Sequence, residues 1–165
     1  MSGQLSYTYH TPKGVPGGLL DINAYSIDSR INEEEKPGVM MNGMGVVQGT
    51  VPGTNVLLPA AGATVGKFEG VVMTGFTNQR DMDGETLLAP LQTVGILRWG
   101  RAWVRVAPDL TPAYGDALYL ITAAGATRGF FTNEPSGNLA VKGSFLGGLG
   151  TGDIAPVVIY NQKSE

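Results

Sequence analysis

Val94-Gly95-Ile96-Leu97-Arg98-Trp99-Gly100-Arg101-Ala102-Trp103-Val104-Arg105-Val106 is the stretch that decides how this chain folds. It is rich in Val, Ile, Leu and Trp, side chains that suit a pleated, half-buried surface. Strands are expected at Gln92–Trp99 and Arg101–Ala107, with Gly100 between them. From Trp99 onward the residues alternate: Trp99, Arg101, Trp103 and Arg105 fall on one face, Gly100, Ala102, Val104 and Val106 on the other. The second set reads as the core side. The first gathers two Trp and two Arg, the types most enriched at the energetic centres of interfaces. Either this face meets a partner, or the indoles cover a neighbouring strand and the Arg stems pack on them.

Working outward, short runs of the same kind recur at Met44–Thr50, Asn55–Leu58, Phe68–Thr77, Ala117–Thr122, Ala126–Thr132, Lys142–Phe145 and Ala155–Tyr160. Turn signals separate them, among them Val51-Pro52-Gly53, Asp83-Gly84, Pro108-Asp109, Tyr114-Gly115-Asp116, Ala124-Gly125 and Pro135-Ser136-Gly137-Asn138. Many short strands at such spacing indicate an all-β sandwich or barrel.

Composition agrees. The 165 residues include 25 Gly and 10 Pro, and Gly is about twice its usual share of roughly 7%. Such a density of helix breakers argues against a coiled coil or helical bundle, and the glycines follow no period of three, which excludes collagen. Apolar residues make up 42%, enough for a core in a chain of this length. Charged residues are only 15% and the net charge is −3, which disfavours bulk attraction to nucleic acid.

With no Cys, disulfides, thiolate zinc sites and cysteine nucleophiles are excluded. The opening Met-Ser-Gly-Gln-Leu-Ser-Tyr-Thr-Tyr-His has neither a basic start nor an apolar run, so no signal peptide is expected. No stretch approaches 18 apolar residues, so no transmembrane helix and no membrane partner are expected. Synthesis in a cytoplasm follows as the expectation.

Residues 1–36 read differently from the rest. They hold the lone His10, the breaker cluster Gly14-Val15-Pro16-Gly17-Gly18 and the acidic run Glu33-Glu34-Glu35. Extended, they could span about 110–130 Å at roughly 3.3–3.6 Å per residue. Residues 1–18 suit either a disordered terminus or an arm that orders on a partner. In the second half, Leu19, Leu20, Ile22, Tyr25, Ile27 and Ile31 offer apolar anchors, with Arg30 among them, which favours docking. The expected division is an arm over 1–36, removable without unfolding the rest, and a β-body over 37–165.

Motifs for chemistry are weak. Gly62-Ala63-Thr64-Val65-Gly66-Lys67-Phe68 has one residue too few between its glycines for a phosphate loop, and Phe68 stands where Ser or Thr belongs. Gly43-Met44-Gly45-Val46-Val47-Gln48-Gly49 spaces its third Gly wrongly for a dinucleotide site and lacks the helix that must follow. Asp81, Asp83 and Glu85 share one turn, but Gly84 does not sit where a calcium loop needs it. A catalytic triad needs a rigidly held imidazole, and His10 falls in the arm. No catalytic residue, metal or cofactor is therefore expected. Base stacking on Trp99 and Trp103 with Arg101 and Arg105 on phosphates is physically sensible, yet no wider basic groove supports it.

The order of segments adds one more signal. Ile27-Asp28-Ser29-Arg30-Ile31-Asn32-Glu33-Glu34 leads to Lys36-Pro37, then to Gly45-Val46-Val47, to Val94-Gly95-Ile96-Leu97-Arg98-Trp99-Gly100-Arg101-Ala102-Trp103-Val104 and to Gly115-Asp116-Ala117-Leu118-Tyr119. Over roughly residues 20–160 this resembles the structural cement, or capsid decoration, proteins of tailed bacteriophages. One departure is Gly38-Val39-Met40-Met41, where an aromatic–Gly pair is expected after the proline. The resemblance implies a non-enzymatic, jelly-roll-like β-protein on the outer surface of the virion. It implies major capsid protein as partner, bridged across subunit boundaries, and a second copy as another, as a dimer in preference to a trimer. On this reading Leu19, Leu20, Ile22, Tyr25, Ile27, Arg30 and Ile31 bind the capsid, and Trp99, Arg101, Trp103 and Arg105 form an interface with shell or sister copy. The rivals are a single-stranded nucleic-acid or carbohydrate-binding β-module and a tail or fibre component.

Overall fold

The computed structural model describes residues 14–75, 82, 86–147 and 153–162. Their strands are β1 (Ser26–Asn32), β2 (Gly45–Gln48), β3 (Asn55–Leu57), β4 (Phe68–Val72), β5 (Thr93–Arg105), β6 (Tyr114–Leu120), β7 (Phe131–Thr132), β8 (Leu139–Leu146) and β9 (Ile154–Ile159), with a single 3-10 turn at Val65–Lys67. The chain is all-β, as its composition and turn spacing require.

The two strands expected around Gly100 are one strand of 13 residues, β5. Gly100 carries it through with φ of 134°, a conformation that only Gly adopts readily, and a Cβ there would stand 2.7 Å from that of Tyr25. Gly100 is also where the neighbours change. Before it, β5 pairs with β1 and β4; from it onward, β5 pairs with β9.

The first half of β5 closes a five-stranded barrel. β1 runs parallel to β3, and β3–β2, β2–β4, β4–β5 and β5–β1 are all antiparallel. Closure leaves no open edge in this ring. Inside it sit Val46, Val56, Val72, Val94 and Ile96 with Met40, Met44, Leu58 and Leu88.

The second half of β5 opens another sheet in the order β5-β9-β8-β6-β7. This sheet curls back: Val106 bridges Phe131, and the Ala107 N–H donates to the Phe131 carbonyl at 2.9 Å. It encloses Ala102, Val104, Leu118, Leu120, Phe131, Phe145, Val157 and Ile159, joined by Phe68, Val71 and Leu97 from the barrel wall. Val71 and Val72 are adjacent in sequence yet belong to different cores, as period-two alternation demands. Phe68 meets Phe131 edge-on at 6.4 Å, tying the two together. Each such fully buried side chain contributes roughly 1.5–3 kcal/mol.

Two expectations need correcting. Ala126–Thr132 is mostly turn, because Phe130 N–H donates to Thr127 O and Gly129 N–H to Ile121 O, leaving only Phe131–Thr132 as strand. More consequential, Ser26–Asn32 was expected within the arm and is instead strand β1 of the barrel, so no boundary falls at residue 36. The residues that fix it are polar. Asn32 is fully buried: its N–H donates to Gln92 O, its carbonyl accepts from Leu91 N–H, and Nδ2 donates to Ala89 O at 2.9 Å. Glu33 accepts the Thr50 N–H at 2.8 Å together with the Thr50 hydroxyl. Glu34 accepts the Leu58 N–H at 2.9 Å and pairs with Arg128 at 3.1 Å. Glu33 and Glu34 of the acidic run are fasteners.

Candidate interaction surface

Gly14–Leu20 lies along the edge of β5 opposite β9. Gly17 N–H donates to Trp103 O at 2.8 Å, Trp103 N–H to Gly18 O at 2.9 Å and Leu20 N–H to Arg101 O at 3.1 Å, while Leu19 bridges Ala102. This strap passes directly over the Trp103 indole, so closely that a Cβ on Gly14 would overlap the ring. Trp103 is consequently only 4% exposed. Arg105 is half-buried, its Nε donating to Asn42 O at 3.0 Å. The alternation read from the sequence is present, but half of the expected Trp/Arg face is covered by the chain itself. Trp103 is removed from the surface by the strap, and Arg105 is drawn in by the Asn42–Gly43 backbone.

The other half remains outside. Trp99 is 37% exposed, and Arg101 pairs with Asp21 at 3.0 Å. The pairing Gly100↔Ile159 continues so that Tyr160, also exposed, stands across from Trp99. The pairing Ser26↔Trp99 brings Tyr25 beside Gly100. Ile22 is wholly exposed, Tyr25 and Ile27 somewhat less than half. A groove of about 510 Å³ runs between Asn23, Ala24, Trp99, Arg101, Val158 and Tyr160. Asn23 and Ala24 thus line one groove with Trp99 and Arg101, which lie some 80 positions further along the sequence.

Asp21 organises its rim. It accepts the Asn23 N–H and Nδ2, both at 3.1 Å, besides its pairing with Arg101. Desolvation pushes its pKa upward, but the Asn23 and Arg101 contacts together outweigh it and hold the carboxyl below its ordinary value. The turn therefore keeps Ile22 pointing outward.

The remaining arm candidates divide between the strap and the barrel. Leu19 and Leu20 are half-buried in the strap. Ile31 is half-buried between Asn55 and Thr93. Arg30 pairs with Asp28 at 2.9 Å and approaches the buried Glu69 at 3.8 Å, where Arg98 is a second, closer partner. His10, Asp81, Asp83 and Glu85 lie outside the described residues. Sequence reasoning missed Asp21 and Tyr160; the apolar-to-aromatic end of Ala155–Tyr160 was the available signal for the latter.

Among the described residues no group of three His, Cys, Asp or Glu could hold a metal ion, and no helix is long and apolar enough to cross a membrane. A family model described as "Structural cement protein (E217 gp24/Pam3 gp6)" matches residues 4–160. The chain belongs to the structural cement protein family. The resemblance carried by the ordered sequence motifs is therefore shown, and with it a structural role at a phage capsid and a place in the virion. A chain from the solved structure of the capsid of Myoviridae phage XM1 has the same fold as this cement protein, with a TM-score of 0.72 at 17% identity, over 96% of this chain and 97% of that one. No curated protein matches the cement protein in sequence.

Proposed function

We propose that this cement protein sits on the outer surface of the assembled capsid and clamps neighbouring major capsid protein subunits against the pressure of the packed genome. Ile22, Tyr25, Ile27, Trp99 and Arg101 are its contact with the shell, and cohesion with a second copy adds to the hold. The observation that carries the reading is the exposed Trp99 beside a groove that sequence-distant Asn23 and Ala24 help to line, on a chain whose family is one of capsid structural proteins.

The physics is that of a ligand selective for one state. A molecule that binds across a closed seam stabilises the closed state by RT ln(1 + [L]/Kd) per site. Many symmetry-related copies act together, so a modest energy at each suffices. A stiff body matters because a clamp that stretched would transmit no resistance.

Shells freed of the cement protein and recombined with it provide the test. Co-sedimentation in near-stoichiometric ratio to the major subunit, with better survival of heating and osmotic shock, is expected. Failure of the full-length protein to sediment with shells overturns the reading.

A further inference from the structure

Ala89-Pro90-Leu91-Gln92 is a turn closed by Gln92 N–H donating to Ala89 O at 3.3 Å. Leu91 occupies its third position with φ of 61°, where turns with Pro second call for Gly or Asn. For a Leu this conformation is costly, because Cβ crowds the backbone. Elsewhere among the described residues positive φ is taken by Gly, and once by Asp109, a residue type that tolerates it. The side chain gains nothing internally in return, for Leu91 is 77% exposed. A residue that is both strained and unburied contributes to neither folding nor solubility.

The turn is nonetheless held rigidly. Fully buried Asn32 donates from Nδ2 to Ala89 O at 2.9 Å and from its N–H to Gln92 O at 2.9 Å, and it accepts the Leu91 N–H at 2.8 Å. Gln92 closes the ring by accepting the Ala89 N–H at 2.8 Å. Four hydrogen bonds thus fix the direction in which an exposed leucine points. Strain that the surroundings over-determine is a sign of use at that position.

We propose that Leu91 is a pre-set apolar knob that enters a recess of apolar side chains on a capsid subunit. This rests on the reading of the chain as a capsid clamp, and it supplies what that reading lacks. Asn32, which anchors the knob, ends the same strand β1 that begins beside Tyr25 and Trp99. At about 3.3 Å per residue, the seven residues of β1 set the two contacts on the order of 20 Å apart. A clamp needs two separated holds joined by something inextensible, and a strand paired along its length with β5 and at its end with β3 provides the join. A capsid subunit is taken as the partner because the chain belongs to a family of structural cement proteins.

The test uses full-length protein carrying Leu91→Gly or Leu91→Asn, both suited to the turn. Expected is a melting temperature equal to or above that of the wild type, together with half-saturation of stripped shells shifted by about tenfold or more, the scale of a lost hot-spot side chain. Unchanged shell affinity overturns the proposal. So does a lowered melting temperature in both variants, which would make Leu91 a folding residue. Loss of self-association with intact shell affinity also overturns it, naming a second copy as the partner. If the wild type itself fails to bind shells, the clamp reading falls, and this is distinguished by requiring no variant.

Discussion

Asp21 and Arg101 are joined by an ion pair at 3.0 Å across 80 residues of sequence. Both are partly exposed, so the pair adds little to overall stability. Its effect is local: it fastens the turn carrying Ile22 to the rim of the groove beside Trp99. Asp21→Ala should therefore leave the thermal melt close to wild type while weakening attachment to shells, measured by co-sedimentation across a concentration series. A large fall in melting temperature would give the pair a structural role instead.

The two tryptophans should behave oppositely. Trp103 lies under the Gly14–Leu20 strap, and Trp103→Ala is expected to destabilise by roughly 3–5 kcal/mol through loss of a buried aromatic. Trp99 is on the surface, so Trp99→Ala should cost shell binding about 2 kcal/mol and stability much less. Urea denaturation followed by shell binding of the folded protein separates the two. Equal destabilisation by both would remove Trp99 from the contact surface.

Acid sensitivity follows from Glu33 and Asp116. Thr50, through its hydroxyl and then its N–H, holds Glu33 below its ordinary value of 4.5. The Ala113 N–H and then Asn133 hold Asp116 below 3.8. Each depressed carboxyl binds its proton less readily folded than unfolded, so its contribution is complete above the ordinary value and fades as pH falls through the folded one. Wild-type melting temperature should drop on acidification through this range. Glu33→Gln should start lower at neutral pH and lose less over the same interval; parallel curves would exclude Glu33 as a source.

Deleting residues 1–36 should abolish cooperative unfolding. The deletion takes away β1, opens the first barrel and leaves the partners of Asn32, Glu33 and Glu34 unsatisfied. Circular dichroism on heating gives the answer, and a sharp melt like that of the full chain would show that the remaining strands close without it.

The sheet was legible wherever apolar residues alternate. Ala102, Val104 and Val106 lie in the core as the period of two requires, and Trp99 and Arg101 lie outside. Ser26–Asn32 was not legible, because Ser-Ile-Asp-Ser-Arg-Ile-Asn carries only two apolar residues and is held by side-chain hydrogen bonds and the Asp28–Arg30–Glu69–Arg98 charges. Such contacts depend on partners far along the chain and leave no periodic trace. For the same reason the covering of Trp103 was hidden: a run of glycines reads as a breaker, whereas here its small size lets backbone cross an indole. Trp99 and the residues before β1 were visible as two separate groups, and the groove between Ala24 and Trp99 forms only through the register of β1 on β5.

β5 is a wall of both rings at once. A pull applied at Trp99 and resisted at Leu91 runs along the first half of that strand and its neighbour β1, so their rungs are loaded in shear, many together, and not peeled one by one. Neither ring can give way without tearing a side from the other. On the clamp proposed above, the shared strand is the tie rod that lets the molecule resist being drawn out along that line.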